Sequence, residues 1–540
     1  MRGATPSDMK RAELLAWLPL QGVFDLAVVG GGATGLGVAL DAALRGFSVV
    51  LLESHDFAGG TSSRSTKLLH GGVRYLAQGN LALVREALAE RATVLRIAPH
   101  LAQPLAFVMP SYRWWQTPFY GLGLKLYDLL AGGAGLGRTE FLSRSEALRA
   151  LPGVNEQGLK GGVKYWDGQF DDARLALALA RSAEAAGAHV LNYAKVTGVS
   201  QSAGGDSPLS TVDVSDRRGG GSFQLQARCV VNATGVWVDA LRDHTQPPSN
   251  RGSPSRMVSP SQGVHVVVDR EFLPGEHALL VPKTQDGRVL FAVPWLGKLV
   301  LGTTDTPRRD MPRDPGAFDE ELDFILHEAS QALSRPVCRQ DIRSLWVGLR
   351  PLVAAPQSVE GGTKVLSREH TIVVDPNGLV TVTGGKWTTY RAMAEDVLER
   401  CFTSQLLPRR AGGQTAFHAL MGAGDSSSPV VPLHAAPGLH LFGAEGPQVD
   451  RCPGSDNVMG AGLTEAMVRY AIRCEYAQTV EDVLARRWRV LFLDAAEAAR
   501  LAPQVAAILD EELGGEAELL PFLDLCQRYL PEGLKILTAR

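Results

Sequence analysis

Short apolar runs that stop at glycine-rich turns dominate the first 400 residues. Asp25-Leu-Ala-Val-Val predicts a buried strand, Gly30-Gly31-Gly32-Ala33-Thr34-Gly35 a turn, and the small residues up to Arg45-Gly46 a helix. Ser48-Val-Val-Leu-Leu-Glu53 then predicts a second strand, which completes a βαβ unit. The step from strand to glycine recurs in Cys229-Val-Val-Asn-Ala-Thr-Gly235. It recurs again in Leu379-Val-Thr-Val-Thr-Gly384-Gly385-Lys386-Trp387-Thr388-Thr389, which runs on into a helix through Glu395. From about residue 460 the period becomes helical, with Val468, Ala471, Val480, Leu484, Val490 and Leu491 among Arg and Glu. Residues 402–456 are rich in Gly, Pro, Ser and Ala and predict a linker or loosely packed connection. Near the start, Lys10 and Arg11 followed by Leu14 to Leu20 predict an amphipathic N-terminal helix capped by Ser7. Glu13, Pro19 and the lack of a small-residue cleavage site argue against a signal peptide. No run reaches about 18 apolar residues, so no membrane span is predicted.

Length and charge narrow the class. A chain of 540 residues exceeds what one core organises, so two or three domains are expected. With 54 Lys+Arg against 57 Asp+Glu there is no basic footprint for nucleic acid. The six cysteines lie far apart without metal-type spacing, which argues against a zinc site or a dense disulfide framework and fits a reducing, cytoplasmic setting. No metal site is predicted. The 58 glycines, by contrast, call for local explanations, and the turns above supply part of one.

In the βαβ unit, Gly30 allows the tight turn, Gly32 lets a pyrophosphate approach the backbone, and Gly35 lets helix and strand pack closely. The helix N-terminus faces the phosphates. Glu53 ends the second strand, where a carboxylate accepts hydrogen bonds from an adenosine ribose and repels a 2′-phosphate. That disfavours NADP and leaves NAD or FAD. The later glycine turns favour flavin, because a helix N-terminus near Gly384 and Gly385 stabilises the negative charge of a reduced isoalloxazine. In the polar stretch 56–76, Thr61, Ser62 and Ser63 are candidate phosphate donors and Arg74 a candidate anion grip; a solvated loop is the alternative.

Four segments together resemble a known family. Gly60-Thr-Ser-Ser-Arg-Ser-Thr-Lys-Leu-Leu-His-Gly-Gly-Val-Arg-Tyr75, Gly302-Thr-Thr-Asp-Thr-Pro307, Gly348-Leu-Arg-Pro351 and Gly384-Gly-Lys-Trp-Thr-Thr-Tyr-Arg391 are similar to FAD-dependent glycerol-3-phosphate dehydrogenase, of the D-amino-acid-oxidase-like flavoproteins. The likeness covers about 25–400 and resumes at 468–487. It implies an α/β fold: a Rossmann-like (two-dinucleotide-like) FAD-binding domain, an interleaved α+β substrate domain with an antiparallel sheet, and a C-terminal all-α domain. On that basis an N-terminal amphipathic extension (1–22) is expected before an FAD-binding domain of about 23–80, 155–240 and 345–400. The substrate domain would take about 81–154 and 241–344, followed by the linker (401–456) and the helical domain (457–540).

The implied reaction moves the C2 hydride of sn-glycerol 3-phosphate to flavin N5 of noncovalent FAD, giving dihydroxyacetone phosphate, with electrons passed to a membrane quinone. His265, Arg350 and Lys386 are the implied catalytic residues. Arg74, Tyr75, Thr303, Arg350, Arg368 and Lys386 are the implied substrate contacts. Cofactor contacts fall on Gly30, Gly32, Ala33, Thr34, Gly35, Glu53, Thr61, Ser62, Ser63, Lys67, Leu68, His70, Gly71, Val196, Ala233, Gly235, Gly384, Gly385, Lys386, Trp387, Thr388 and Thr389. The chemistry suits these types: an arginine fork matches phosphate oxygens, and a histidine suits a hydroxyl proton. A structural histidine, a surface Arg368–Glu369 pair and a helix-surface Lys386 are the plainer alternatives.

Val347 departs from the small residue common in the family before Gly-x-Arg-Pro, and no Asp-x-Asp-x-Asp-Gly loop follows residue 500, so the calcium-binding extension of the mitochondrial proteins is not expected. Residues 112–130, with Trp114, Trp115, Phe119 and Tyr120 beside Arg113 and Lys125, fit either an interfacial helix or a buried one. The resemblance places the protein peripherally on the inner face of the cell membrane and leaves a homodimer open. An oxygen-using glycerol-3-phosphate or amine oxidase is the first rival. A flavin-dependent RNA-modifying protein is the second, and the balanced charge speaks against it.

Overall fold

Residues 11–72, 80–201, 209–245, 256–284, 287–354, 370–424, 430–515 and 517–534 are described in the computed structural model of the chain. Among them, Phe24–Val29 is the central strand of an eight-stranded sheet. Val49–Leu52 and Ser222–Asn232 flank it in parallel, and His189–Leu191 and Leu379–Thr383 continue the parallel layer outwards. Strands covered on both faces need continuous apolar side chains, and Leu26, Ala27, Val28 and Val49 to Leu52 are all buried. Helix Ala33–Leu44 packs on one face with Asp172–Ala185 and Tyr390–Thr403. Three distant stretches of chain therefore build this sheet, as the interleaved arrangement requires.

Among the described residues the second sheet has ten strands and is antiparallel, except where Ala278–Val281 runs parallel to Ala102–Ser111. It takes in more chain than the expected boundaries give it. Gly161–Phe170 pairs along its whole length with Ala102–Ser111, Leu68–Leu69 pairs with Gly161–Phe170, and Ser344–Val353 pairs with Val258–Asp269. All three strands were expected in the cofactor domain. Their backbone hydrogen bonds place them in the other sheet, and the chain crosses between the sheets close to the glycine-rich segments.

Helix Gln116–Ala131 has one buried side and one exposed apolar side. Gly121, Leu124, Tyr127 and Ala131 face inward and are buried. On the opposite side Phe119, Leu122 and Leu129 are 66%, 73% and 76% exposed, with Trp114 at 83% just before the helix.

The described part of the N-terminal extension, residues 11–22, packs on the parallel sheet. Leu14 and Leu18 sit in a core with Phe24 and Val29, and Arg11 donates to Asn192 O and Asp216. Ser7, its expected cap, lies outside the described residues. At the other end the helices Glu465–Cys474, Ala495–Leu513 and Leu519–Arg528 form the helical domain. Its Val468, Leu484, Trp488 and Phe492 share one core with Phe107, Trp295 and Trp346 of the second sheet. Among the described residues no helix is long and apolar enough to cross a membrane.

Residues 401–456, expected as a loose linker, are packed where they are described. Leu407 and Leu420 enter the core of the parallel sheet, and Leu433, Leu441, Phe442 and Val449 enter the core shared with the helical domain. The Gln103 amide brackets the strap, donating to Val431 O at 2.9 Å and accepting from Leu433 N at 3.0 Å. Widely spaced apolar anchors in a Gly- and Pro-rich stretch carry no period, which is why composition alone suggested a linker. Phe442, under the Arg174 guanidinium at 4.2 Å, is such an anchor. Phe442→Ala is expected to cost about 3–5 kcal/mol in urea unfolding, as for a core phenylalanine, whereas a linker position would change stability by less than about 0.5 kcal/mol.

Candidate active site

A cavity of about 620 Å³ is lined from both sheets. At one end the glycine turn closes on the neighbouring strand. Gly30 has φ +110°, and a Cβ there would lie 2.6 Å from Ala233 O; a Cβ on Gly35 would strike Gly30 O. Gly32 opens onto the cavity, with Ser62 Oγ the one atom near its missing Cβ, at 3.1 Å. The Ser62 hydroxyl accepts from Ala33 N at 3.0 Å and so stands at the start of the helix. The Glu53 carboxylate accepts from Gly31 N at 2.6 Å and from His55 N at 2.9 Å, and it still lines the cavity. These features suit a dinucleotide: bare backbone and a helix N-terminus for the pyrophosphate, and a fixed carboxylate with spare lone pairs for a ribose. Across the cavity Gly235, Gly384 and Gly385 all have positive φ, which brings backbone to the wall ahead of the helix that begins at Trp387.

His265, Arg350 and Lys386, from three separate segments, also line the cavity. Arg350 is aimed by its surroundings: it donates to Gln262 O (3.2 Å), Asp305 (3.1 Å), Thr303 Oγ1 (3.1 Å) and Thr304 O (2.9 Å). Gly263 makes room for it, since a Cβ there would collide with the guanidinium. His265 is buried, stacked on Trp346 with ring centroids 5.2 Å apart, and its Nε2 lies 2.8 Å from Thr66 Oγ1. Burial, helped by the charges of Lys67 and Arg350, holds its imidazole well below the usual histidine range, so the ring is neutral at ordinary pH.

Most of the residues expected from the sequence line this cavity: Gly30, Gly32, Ala33, Thr34, Glu53, Thr61, Ser62, Leu68, His70, Val196, Ala233, Gly235, Gly384, Gly385, Lys386, Trp387 and Thr388 join His265 and Arg350 there. Six stand behind the wall instead. Gly35 packs helix on strand, and Gly71 packs against Leu88 and Tyr127. Thr389 is buried at the helix start. Thr303 serves as an acceptor for Arg350. Ser63 offers its carbonyl to Lys67, and Lys67 is fully buried against Asp172, and neither lines the cavity. Arg74, Tyr75 and Arg368 lie outside the described residues.

Sequence reasoning missed Thr66, Trp346 and Asp305. Thr66 stands inside the motif 60–75, and Trp346 lies two positions before Gly348, so proximity to quoted motifs was their signal. Asp305 likewise stands within 302–307. Among the described residues no group of three or more His, Cys, Asp or Glu side chains could hold a metal ion.

The chain is similar to known proteins over nearly its whole length. Residues 25–399 match the family model for FAD dependent oxidoreductases, and residues 448–518 match the C-terminal domain of alpha-glycerophosphate oxidase. The mitochondrial glycerol-3-phosphate dehydrogenase of Bos taurus is 39% identical over 523 residues, covering 91% of this chain and 70% of that protein. That of Schizosaccharomyces pombe is 38% identical over 553 residues, covering 91% and 84%. The crystal structure of the Bacillus halodurans glycerol-3-phosphate dehydrogenase complexed with FAD superposes with a TM-score of 0.76 at 27% identity, covering 99% of this chain and all of that one.

His55, on the cavity wall, yields a prediction. Burial and the charge of Arg313 lower its imidazole to about 3 in the folded chain, against about 6.5 unfolded. Below 6.5 the unfolded chain takes up a proton that the folded chain refuses. This contribution to stability is therefore complete above about pH 6.5 and is lost as pH falls towards 3. Urea unfolding of His55→Gln is expected to depend less steeply on pH than the wild type between 6.5 and 4; identical slopes would contradict the assignment.

Proposed function

This chain belongs to the glycerol-3-phosphate dehydrogenase family of FAD-dependent oxidoreductases, and from that premise we propose how its site works: it oxidises sn-glycerol 3-phosphate at C2, yields dihydroxyacetone phosphate and hands the electrons to a membrane quinone. The observation that carries the reading is that His265, Arg350 and Lys386 line the same cavity as the glycine cradle. Bound FAD supplies the hydride acceptor, flavin N5. The backbone at Gly30, Gly32 and Ala33 with Ser62 takes its pyrophosphate, Glu53 its ribose, and the helix start at Gly384 to Trp387 the carbonyl side of its ring.

Arg350 and Lys386 hold the substrate phosphate. Arg350 does so as a cation already fixed at the wall by Asp305 and Thr304 O, so little of its freedom remains to be lost on binding. Arg74, Tyr75 and Arg368 are further substrate contacts on the strength of their motifs. The neutral ring of His265 accepts the C2 hydroxyl proton as the hydride leaves, and its exclusion from water keeps that proton between the two partners. An oxygen-using oxidase is the second reading, favoured by the match of 448–518 to the oxidase C-terminal domain.

The uncovered apolar side of Gln116–Ala131, with Trp114 beside it, supports peripheral attachment to a lipid surface on the cytoplasmic side, where a quinone is reached. Leu122 and Leu129 would enter the interface while Arg113 and Lys125 stay at headgroup level.

Anaerobic sn-glycerol 3-phosphate is expected to bleach the bound flavin, and in air a quinone analogue should be reduced with little peroxide; one peroxide per turnover would favour the oxidase. Arg350→Ala is expected to keep its FAD and to raise KM for sn-glycerol 3-phosphate about 10- to 100-fold, the loss for a hydrogen-bonded charge. Unchanged kinetics would remove Arg350 from the clamp. Leu122→Glu with Leu129→Glu should abolish co-sedimentation with anionic phospholipid vesicles while reduction of a soluble dye continues; retained sedimentation would move the attachment elsewhere.

A further inference from the structure

Thr66, the hydrogen-bonding partner of His265, sits on a short segment that is clamped by charges from two other parts of the chain. Asp172 is the hub. Its Oδ2 accepts from Ser65 N (3.1 Å), Ser65 Oγ (2.7 Å) and Lys67 Nζ (2.7 Å), and its Oδ1 accepts from Ala173 N (2.9 Å) and Arg489 Nη2 (3.1 Å). Lys67 Nζ and Arg489 Nη2 both also donate to Ser63 O, each at 2.8 Å. The side chains of Lys67, Asp172 and Arg489 are entirely closed to solvent. Ser65 Oγ in turn accepts from Lys67 N at 3.0 Å, so the residues on both sides of Thr66 are fixed.

Two further observations set this knot apart from an ordinary structural ion pair. Lys67 and Arg489 are non-glycine residues with left-handed backbones, φ +64° and +66°, a conformation that persists where its surroundings over-determine it and that clusters at working sites. The aromatic rings around the cations also lead to the histidine. Lys67 Nζ lies 5.0–5.2 Å from the ring centres of Trp295, Trp346 and Phe492, and Trp346 is the ring on which His265 stacks. Both supports of His265, its hydrogen bond and its stacking partner, thus end on the same buried charges. A buried ion cluster is a costly way to obtain stability alone, since apolar residues of similar volume do as well.

We propose that Asp172 and Arg489 are positioning residues for His265, acting through Ser65 and Thr66, so that the C-terminal domain sets the pose of the histidine at the cavity wall. This rests on the reading of His265 as the group that takes the substrate proton. Arg489 comes from the helical domain, Asp172 from the first turn of a helix on the parallel sheet, and Ser65 to Lys67 from the motif loop. Their meeting joins all three regions of the chain beneath the site.

The test is a double-mutant cycle on the FAD-loaded enzyme, read as the anaerobic rate of flavin reduction by saturating sn-glycerol 3-phosphate, with FAD content and substrate Kd measured for each variant. Thr66→Val should slow reduction about 5- to 10-fold, the worth of one hydrogen bond, with Kd unchanged, and Thr66→Ser should restore the rate. Arg489→Lys, and the milder Ser65→Ala, should each slow reduction in the parent but add nothing once Thr66 is valine or His265 is alanine. Equal slowing by Ser65→Ala and Arg489→Lys in the parent and Thr66→Val backgrounds would overturn the proposal, as would an effect confined to melting temperature or FAD content. If His265→Ala itself leaves reduction unchanged, the failure lies with the proton-acceptor reading; if His265→Ala is slow but the cycle is additive, it lies with the positioning.

Discussion

Around the carboxylate of Asp172 the structure solves its hardest electrostatic problem. Two cations, Lys67 and Arg489, and two anions, Asp172 and Asp171, are taken wholly out of water there, and the arrangement is tolerable because both oxygens of Asp172 and the neighbouring carbonyl of Ser63 are saturated with donors. The burial of Lys67 pushes its ammonium down to about 7 even with Asp172 beside it, which shows how little margin the site has. Remove one partner and a charge is left alone in the core. The motif loop, the parallel-sheet domain and the helical domain must therefore fold in mutual register, and the shared core of Trp295, Trp346, Trp488 and Phe492 forms around the same point. A second buried network, Arg486 and Arg487 on Asp56 with Arg174 on Glu475 at 2.7 Å, repeats the theme between the helical domain and the parallel-sheet domain.

Interleaving lets side chains of one sheet and backbone turns of the other be built independently yet line one cavity. The parallel sheet delivers three backbone turns at its strand ends, at Gly30, Ala233 and Gly384, to one side of the cavity. The antiparallel sheet delivers His265 and Arg350 from two paired strands, with Ser261 opposite Arg350 and Trp346 opposite His265 in register. Side chains from adjacent strands of a sheet keep their spacing far better than side chains on loops, which suits the roles proposed for His265 and Arg350.

The cofactor end was largely legible in the sequence, because the demands of backbone approach leave a glycine signature: Gly30, Gly35 and Gly385 each stand where a Cβ would collide. His265, Arg350 and Lys386 became legible through motif resemblance rather than through any local rule, since a histidine on an apolar strand reads as core. What stayed hidden were the partners supplied by distant chain. Nothing near Asp172 announces Arg489, some 300 residues away, and Lys67 reads as a cofactor contact until its burial is seen. The strap at 401–456 hid for another reason, as isolated anchors such as Leu420 and Phe442 have no period to detect. Strand membership at 161–170 and 345–353 is not legible in the sequence, because pairing partners follow from hydrogen-bond geometry and not from nearness to a motif.

The central claim is that this cavity holds FAD and sn-glycerol 3-phosphate so that the C2–H bond breaks towards the flavin while His265 takes the hydroxyl proton. The most direct measurement is anaerobic stopped-flow reduction of the bound flavin by sn-glycerol 3-phosphate carrying deuterium at C2. The account predicts slower reduction by the deuterated substrate than by the ordinary one. Flavin that is not reduced at all, or that is reduced at the same rate by both substrates in the chemical step, would contradict it.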